Sequence, residues 1–125
     1  MEKLHFKGSE ETPTIIFDRE TPEFLIKGKS FMEDVLAYYE PVINWLEEYK
    51  KDPLPVTACK IEVEYINTAS SKMFLDVVGE LNDIYLDGFD AKIEWYYFED
   101  DEDMESTGKE FSEMFEIPIK FIMVK

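Results

Sequence analysis

From Thr57 to Tyr65 the chain alternates without a break: Cys59, Ile61, Val63 and Tyr65 fall on one side of an extended backbone, Lys60, Glu62 and Glu64 on the other. Successive side chains of a strand point to opposite faces of its sheet, so the segment predicts a strand with one dry and one wet face. A doubly wound fold, whose strands are dry on both faces, does not tolerate this pattern. Helices are therefore expected mainly on one side of the sheet.

The flanking segments supply those helices. Val35, Leu36, Tyr39, Val42, Ile43, Leu46 and Tyr49 recur at steps of three and four, the face of a 3.6-residue period. Ser30 and Glu33 stand in capping-box spacing before them, and Pro41 predicts a kink near Ala37 or a split into two helices. Phe74, Val77, Val78, Leu81, Ile84 and Tyr85 form a second such face, with Gly88 placed to end it in the left-handed conformation. Met104, Gly108, Phe111 and Phe115 share a third, beginning near Asp103 and stopped by Pro118.

Short β-prone runs fill the rest: Thr14 to Asp18 and Glu23 to Gly28 around a turn of sequence RETP, Ala91 to Glu99, and Ile119 to Val124. The order is β-β-α-β-α-β-α-β, an α/β fold with a mixed sheet, in which strands separated by a helix are expected to run parallel. The length of 125 residues predicts one domain, and residues 1–11 are expected as a flexible tail.

Charge narrows the partners. Asp and Glu outnumber Lys and Arg by 29 to 13, for a net charge of −16. Phosphate backbones and anionic lipid surfaces repel such a chain, so neither nucleic acid nor membrane is an expected partner. No segment reaches the roughly 20 apolar residues of a membrane span, and the N-terminus lacks the apolar core of a signal peptide, which together predict a cytoplasmic protein.

Enzyme chemistry has few residues to draw on. His5 is the single histidine and Cys59 the single cysteine, and Cys59 shares the inward register of its strand. No Gly-rich phosphate loop occurs, so no cofactor is implied. In the acidic run, Asp100, Asp101 and Asp103 offer the oxygen ligands that magnesium or calcium prefers, without EF-hand spacing. The same carboxylates would also serve as caps favoured by a helix dipole, or, with Glu102, as a partner contact.

One stretch stands apart from this acidity. Between Tyr65 and Phe74, where strand gives way to helix, the chain reads INTASSKM, and no acidic residue occurs from Ile66 to Leu75. Asn67, Thr68, Ser70 and Ser71 exceed what one helix cap requires. A helix N-terminus also welcomes an anion, so a phosphoryl group on one of these hydroxyls would be favoured by the free amides. Such a group would add about −1.5 to −2 charges to a protein already far from neutral. It would therefore act locally, within a Debye length of about 8 Å. A regulatory phosphosite and a plain cap both fit.

With Phe17-Asp18, the Ile26/Gly28/Ser30 spacing, Tyr39-Glu40-Pro41 with Trp45-Leu46, the run from Tyr65 to Lys72, and Trp95-Tyr96-Tyr97 followed by Asp100 to Met104, the chain resembles the SiaC family of bacterial regulatory phosphoproteins from about Thr12 onward. The resemblance implies a fold similar to the anti-sigma factor antagonist (STAS, SpoIIAA-like) domain and a phosphoacceptor at Thr68. Asn67, Ala69, Ser70, Ser71 and Lys72 would be its loop and partner-binding setting. It further implies a serine/threonine kinase of the histidine-kinase-like ATPase type, a PP2C-type phosphatase, and a diguanylate cyclase bound and activated by the unphosphorylated form. Ala69 departs from the serine expected there, which removes a rival acceptor. Phe31-Met32-Glu33 replaces a frequent Pro-Glu pair after the serine, leaving Ser30 and Glu33 in the same capping spacing.

Overall fold

The computed structural model describes residues 1–125. Strands β1 (Leu4–Phe6), β2 (Thr14–Asp18) and β3 (Glu23–Ser30) lead into helix α1 (Val35–Tyr49). Strand β4 (Val56–Ile66), helix α2 (Thr68–Leu86), strand β5 (Asp90–Phe98), helix α3 (Glu102–Met114) and strand β6 (Ile119–Val124) follow. The six strands form one sheet in chain order, antiparallel from β1 to β3 and parallel from β3 to β6. Every parallel step moves to the next strand through a helix, and right-handed crossovers stepping in one direction leave all helices on one face.

Burial follows that geometry. Ile15, Phe17, Phe24, Ile26, Cys59, Ile61, Ile93 and Trp95 lie buried on the inner face, under Tyr39, Tyr49, Phe74, Val77 and Leu81 of the helices. Lys60, Lys92 and Lys120 on the outer face are exposed. The expected α/β architecture with helices on one side is the observed one, with a further strand at the N-terminus.

That strand corrects the expectation of a flexible tail. Leu4, His5 and Phe6 pair with Phe17, Ile16 and Ile15. Leu4 and Phe6 pack against the core, Phe6 meeting Tyr38 edge-on at 5.1 Å, and the Trp45 indole N–H donates to the Glu2 carbonyl at 2.8 Å. Three residues of alternation are too short a signal to read as a strand; apolar cover for the edge of β2 is what orders them.

Helix α1 differs at its start and its middle. Ser30 does not cap it. β3 continues to Ser30, which is fully buried, and the cap is Asp34, whose carboxylate accepts from the Ala37 N–H at 3.1 Å. The helix is not split in two, running through Pro41 as one element. Ala37 and Pro41 are both exposed, so the bond proline cannot make is lost on the solvent side. Leu36, counted on the apolar face, is exposed, because the buried stripe is the narrower one of Val35, Tyr39, Val42, Leu46 and Tyr49.

α2 ends as expected at Gly88, φ +98°, where the Gly88 N–H bonds the Tyr85 carbonyl at 3.0 Å and the Phe89 N–H reaches the Ile84 carbonyl at 3.4 Å. This is the paired closure that spares the last carbonyls of a helix. α3 is seated closely on β5. A Cβ at Gly108 would stand 2.7 Å from the Trp95 indole nitrogen, which donates to the Met104 carbonyl at 3.0 Å.

Tyr65 breaks the alternation that predicted β4. Gly28 pairs with Val63 but Lys29 pairs with Tyr65, so Glu64 is an extra, unpaired residue. A bulge of this kind shifts the facing of all that follows. Ile66 opposite buried Ser30 packs inward, and Tyr65 is turned out to solvent.

Candidate functional site

The carboxyl ends of β3, β4 and β5 open on one edge of the sheet, where the amino ends of the three helices also lie. The junction of β4 and α2 is in the middle, flanked by the loop after Ser30 and by the acidic loop after Phe98. The Asn67 N–H donates to the Ser30 carbonyl at 3.1 Å, tying the central junction to its neighbour.

Asn67 is the cap of α2. Its backbone is extended, φ −86° and ψ 175°, and its side-chain oxygen accepts from the Ser70 N–H at 2.8 Å. Thr68 is thus the first residue inside the helix, and the hydroxyls at 68, 70 and 71 point in different directions by helical geometry. Ser70 is fully buried. Its Oγ accepts from Ser30 Oγ at 2.7 Å, and Ser30 Oγ in turn lies 2.6 Å from the Tyr39 hydroxyl. A buried hydroxyl without a partner is costly, and this chain satisfies all three. Burial pushes the Tyr39 phenol well above its ordinary range, so it stays neutral and able to donate.

The apparent surplus of polar side chains therefore resolves into separate tasks. Asn67 caps, Ser70 closes a hydrogen-bonded chain inside the core, and Thr68, Ala69 and Lys72 are exposed, with Ser71 half-buried. Of the three hydroxyls, Thr68 is the one that stands free in solvent at the amino end of the helix. The first turn of α2 holds no acidic residue, whereas that of α3 holds Glu102, Asp103 and Glu105. The positive end of the α2 dipole is left uncompensated by carboxylates and would favour a phosphoryl group there.

The acidic run behaves as a cap. Asp101 accepts from the Met104 N–H at 3.0 Å, while Asp100, Glu102 and Asp103 are exposed. No three of the chain's His, Cys, Asp and Glu side chains converge as ion ligands, which removes the geometric basis for a metal centre on Asp100, Asp101 and Asp103. Cys59 is buried, and burial pushes its thiol up to about 12, far from a reactive thiolate.

Two features escaped the sequence reading. The first is the part Ser30 plays under the loop, although its place in the inward register of β3 with Phe24 and Ile26 marked it as a polar residue needing a partner. The second is the outward turn of Tyr65, which depends on the bulge at Glu64 and left no local signal.

The comparisons agree with this fold. An uncharacterised protein of Pseudomonas aeruginosa (strain UCBPP-PA14) is 26% identical over 113 residues, 90% of each chain. The structure of apo-SiaC from Pseudomonas aeruginosa matches with a TM-score of 0.87 at 26% identity, covering 97% of this chain and 98% of that one. SiaC as found in complex with the diguanylate cyclase SiaD, which it activates, matches at 0.90 and 25% identity, covering 97% and 99%. The sequence model of the SiaC family of regulatory phosphoproteins spans residues 6–124, nearly the whole chain, and the chain belongs to that family.

Proposed function

We infer that the protein is a cytoplasmic, non-enzymatic partner switch, reversibly phosphorylated on Thr68. The observation that carries this reading is the division of labour at the start of α2: Ser70 is locked in the core and Asn67 is occupied as the cap, leaving the Thr68 hydroxyl exposed at an acid-free helix end. The unphosphorylated form binds and activates an effector, a diguanylate cyclase by analogy with the SiaC of Pseudomonas aeruginosa, the activator of SiaD. A serine/threonine kinase of the histidine-kinase-like ATPase type adds the phosphoryl group and a PP2C-type phosphatase removes it.

The phosphoryl group acts through charge and bulk at the sheet edge, where it changes a docking surface within about 8 Å. Incubation with that kinase and ATP, followed by intact-mass measurement, tests the assignment. One added phosphoryl group is expected on the wild type and none on Thr68→Ala; a group that persists in Thr68→Ala would overturn it.

A further inference from the structure

Pairing between β4 and β5 stops at Ile61 and Trp95, although β4 runs on to Ile66 and β5 to Phe98. The two strands part at the edge where Thr68 lies, and a cleft of about 250 Å³ opens between them. Val63, Tyr97 and Phe98 line it, together with the charged side chains of Glu62, Glu64 and Lys27. Beside it, the bulge at Glu64 turns Tyr65 outward against Phe31, the two rings meeting edge-on at 5.6 Å.

Solvent-exposed aromatics gather here: Tyr65 is 53% exposed, Phe98 42% and Phe31 37%. Rings of this kind, rigid and apolar with few rotatable bonds, are the side chains that dominate protein interfaces. The net charge of the lining is negative: Glu62 meets Lys27 at 4.0 Å, and Glu64 is exposed. Burial raises the Tyr96 phenol, and the Glu94 and Glu62 carboxylates raise it further.

We propose that the surface gated by Thr68 is this aromatic edge, and that its occupant is an apolar segment of the protein partner whose arginine enters the cleft between β4 and β5. The proposal rests on the phospho-switch reading and adds where the partner is held and by what chemistry. Arginine fits better than lysine because its planar guanidinium stacks on aromatic rings, and its fork of donors reaches both the Glu62 and Glu64 carboxylates and the strand carbonyls left without a cross-strand partner. A phosphoryl group on Thr68 would give the same arginine a competing anion outside the cleft and crowd the apolar segment.

Two measurements test it. In calorimetry with the cognate diguanylate cyclase, Phe31→Ser/Tyr65→Ser and Glu62→Gln/Glu64→Gln are each expected to weaken binding tenfold or more. Unchanged affinity in both overturns the proposal. The second measurement needs no effector: the capped peptide acetyl-Leu-Arg-Leu-amide, titrated at millimolar concentration, is expected to shift the amide resonances of Val63 to Tyr65 and Tyr96 to Phe98, and its citrulline counterpart is not. Shifts elsewhere, equal shifts with citrulline, or none overturn it. A wild type that ignores the cyclase while the arginine peptide finds the cleft would sink the effector assignment and leave the cleft standing.

Discussion

Ser30 Oγ donates to Ser70 Oγ across 2.7 Å inside the core, joining residues 40 apart in the chain. This bond fastens the end of β3 to the first turn of α2, the turn that also carries the exposed Thr68. The stability of the loop and the presentation of the Thr68 hydroxyl therefore share a buried support.

Ser30→Ala leaves the Ser70 and Tyr39 hydroxyls buried and short of a partner. A loss of about 1 to 3 kcal/mol is expected, the cost of an orphaned buried polar group. Urea unfolding reads it as a lowered midpoint with unchanged slope. An unchanged midpoint would mean that water or a rearranged serine replaces the bond.

Variants at Asn67 and Thr68 separate capping from the proposed switch. Asn67→Ala removes the acceptor for the Ser70 N–H and is expected to cost about 0.5 to 2 kcal/mol. Thr68→Ala, an exposed change at the first helical position, is expected within about 0.5 kcal/mol of wild type. Effector binding should respond in the opposite order to Thr68→Asp and Thr68→Ala, weakened by the first and kept by the second. Equal affinities in calorimetry would remove the phospho-gate.

Gly108 sets the distance of α3 from the sheet. Gly108→Val drives side-chain atoms into the Trp95 indole, whose nitrogen lies 2.7 Å from an ideal Cβ, and Phe121 at 2.8 Å closes the other side. Overpacking of this kind costs about 1 to 3 kcal/mol. Trp95 fluorescence should shift as its bond to the Met104 carbonyl is strained; a variant with native emission and stability would show that α3 moves freely.

Cys59 gives a pH signature. Its thiol, ordinarily 9.0, is pushed up to about 12 in the fold by burial and by the nearby Glu94 carboxylate. Below pH 9 both folded and unfolded chains keep the proton, and the thiol's contribution to stability is intact. Above it the unfolded chain ionises first, so stability falls progressively as pH rises from 9 toward 12. At pH 8, labelling by a disulfide reagent should proceed only as fast as the protein unfolds. Rapid labelling of the native protein would place the thiol at the surface.

Much of the fold is written locally. The alternation at Cys59, Ile61 and Val63 announces a half-wet strand, the spacing of Phe74, Val77, Val78 and Leu81 a helix with one dry face, and Gly88 its end. Each depends on periodicity or on backbone sterics within a few residues, which a sequence displays directly. The same holds for the absence of acid near Thr68 and for the family motifs around it.

What the chain does not display locally are the relationships between distant segments. Ser30 reads as a cap because a serine three residues before a glutamate usually is one, yet contact with Ser70 and Tyr39 draws it into the core and leaves Asp34 to start α1. Tyr65 belongs to the inward set until one unpaired residue opposite Gly28 and Lys29 reverses the facing. The sequence by itself determined most of the elements, their order and the acid-free, hydroxyl-rich start of α2. Only the tertiary structure decided which hydroxyls are consumed in the core and which aromatics are turned to solvent, because burial and register are set by partners that lie far away along the chain.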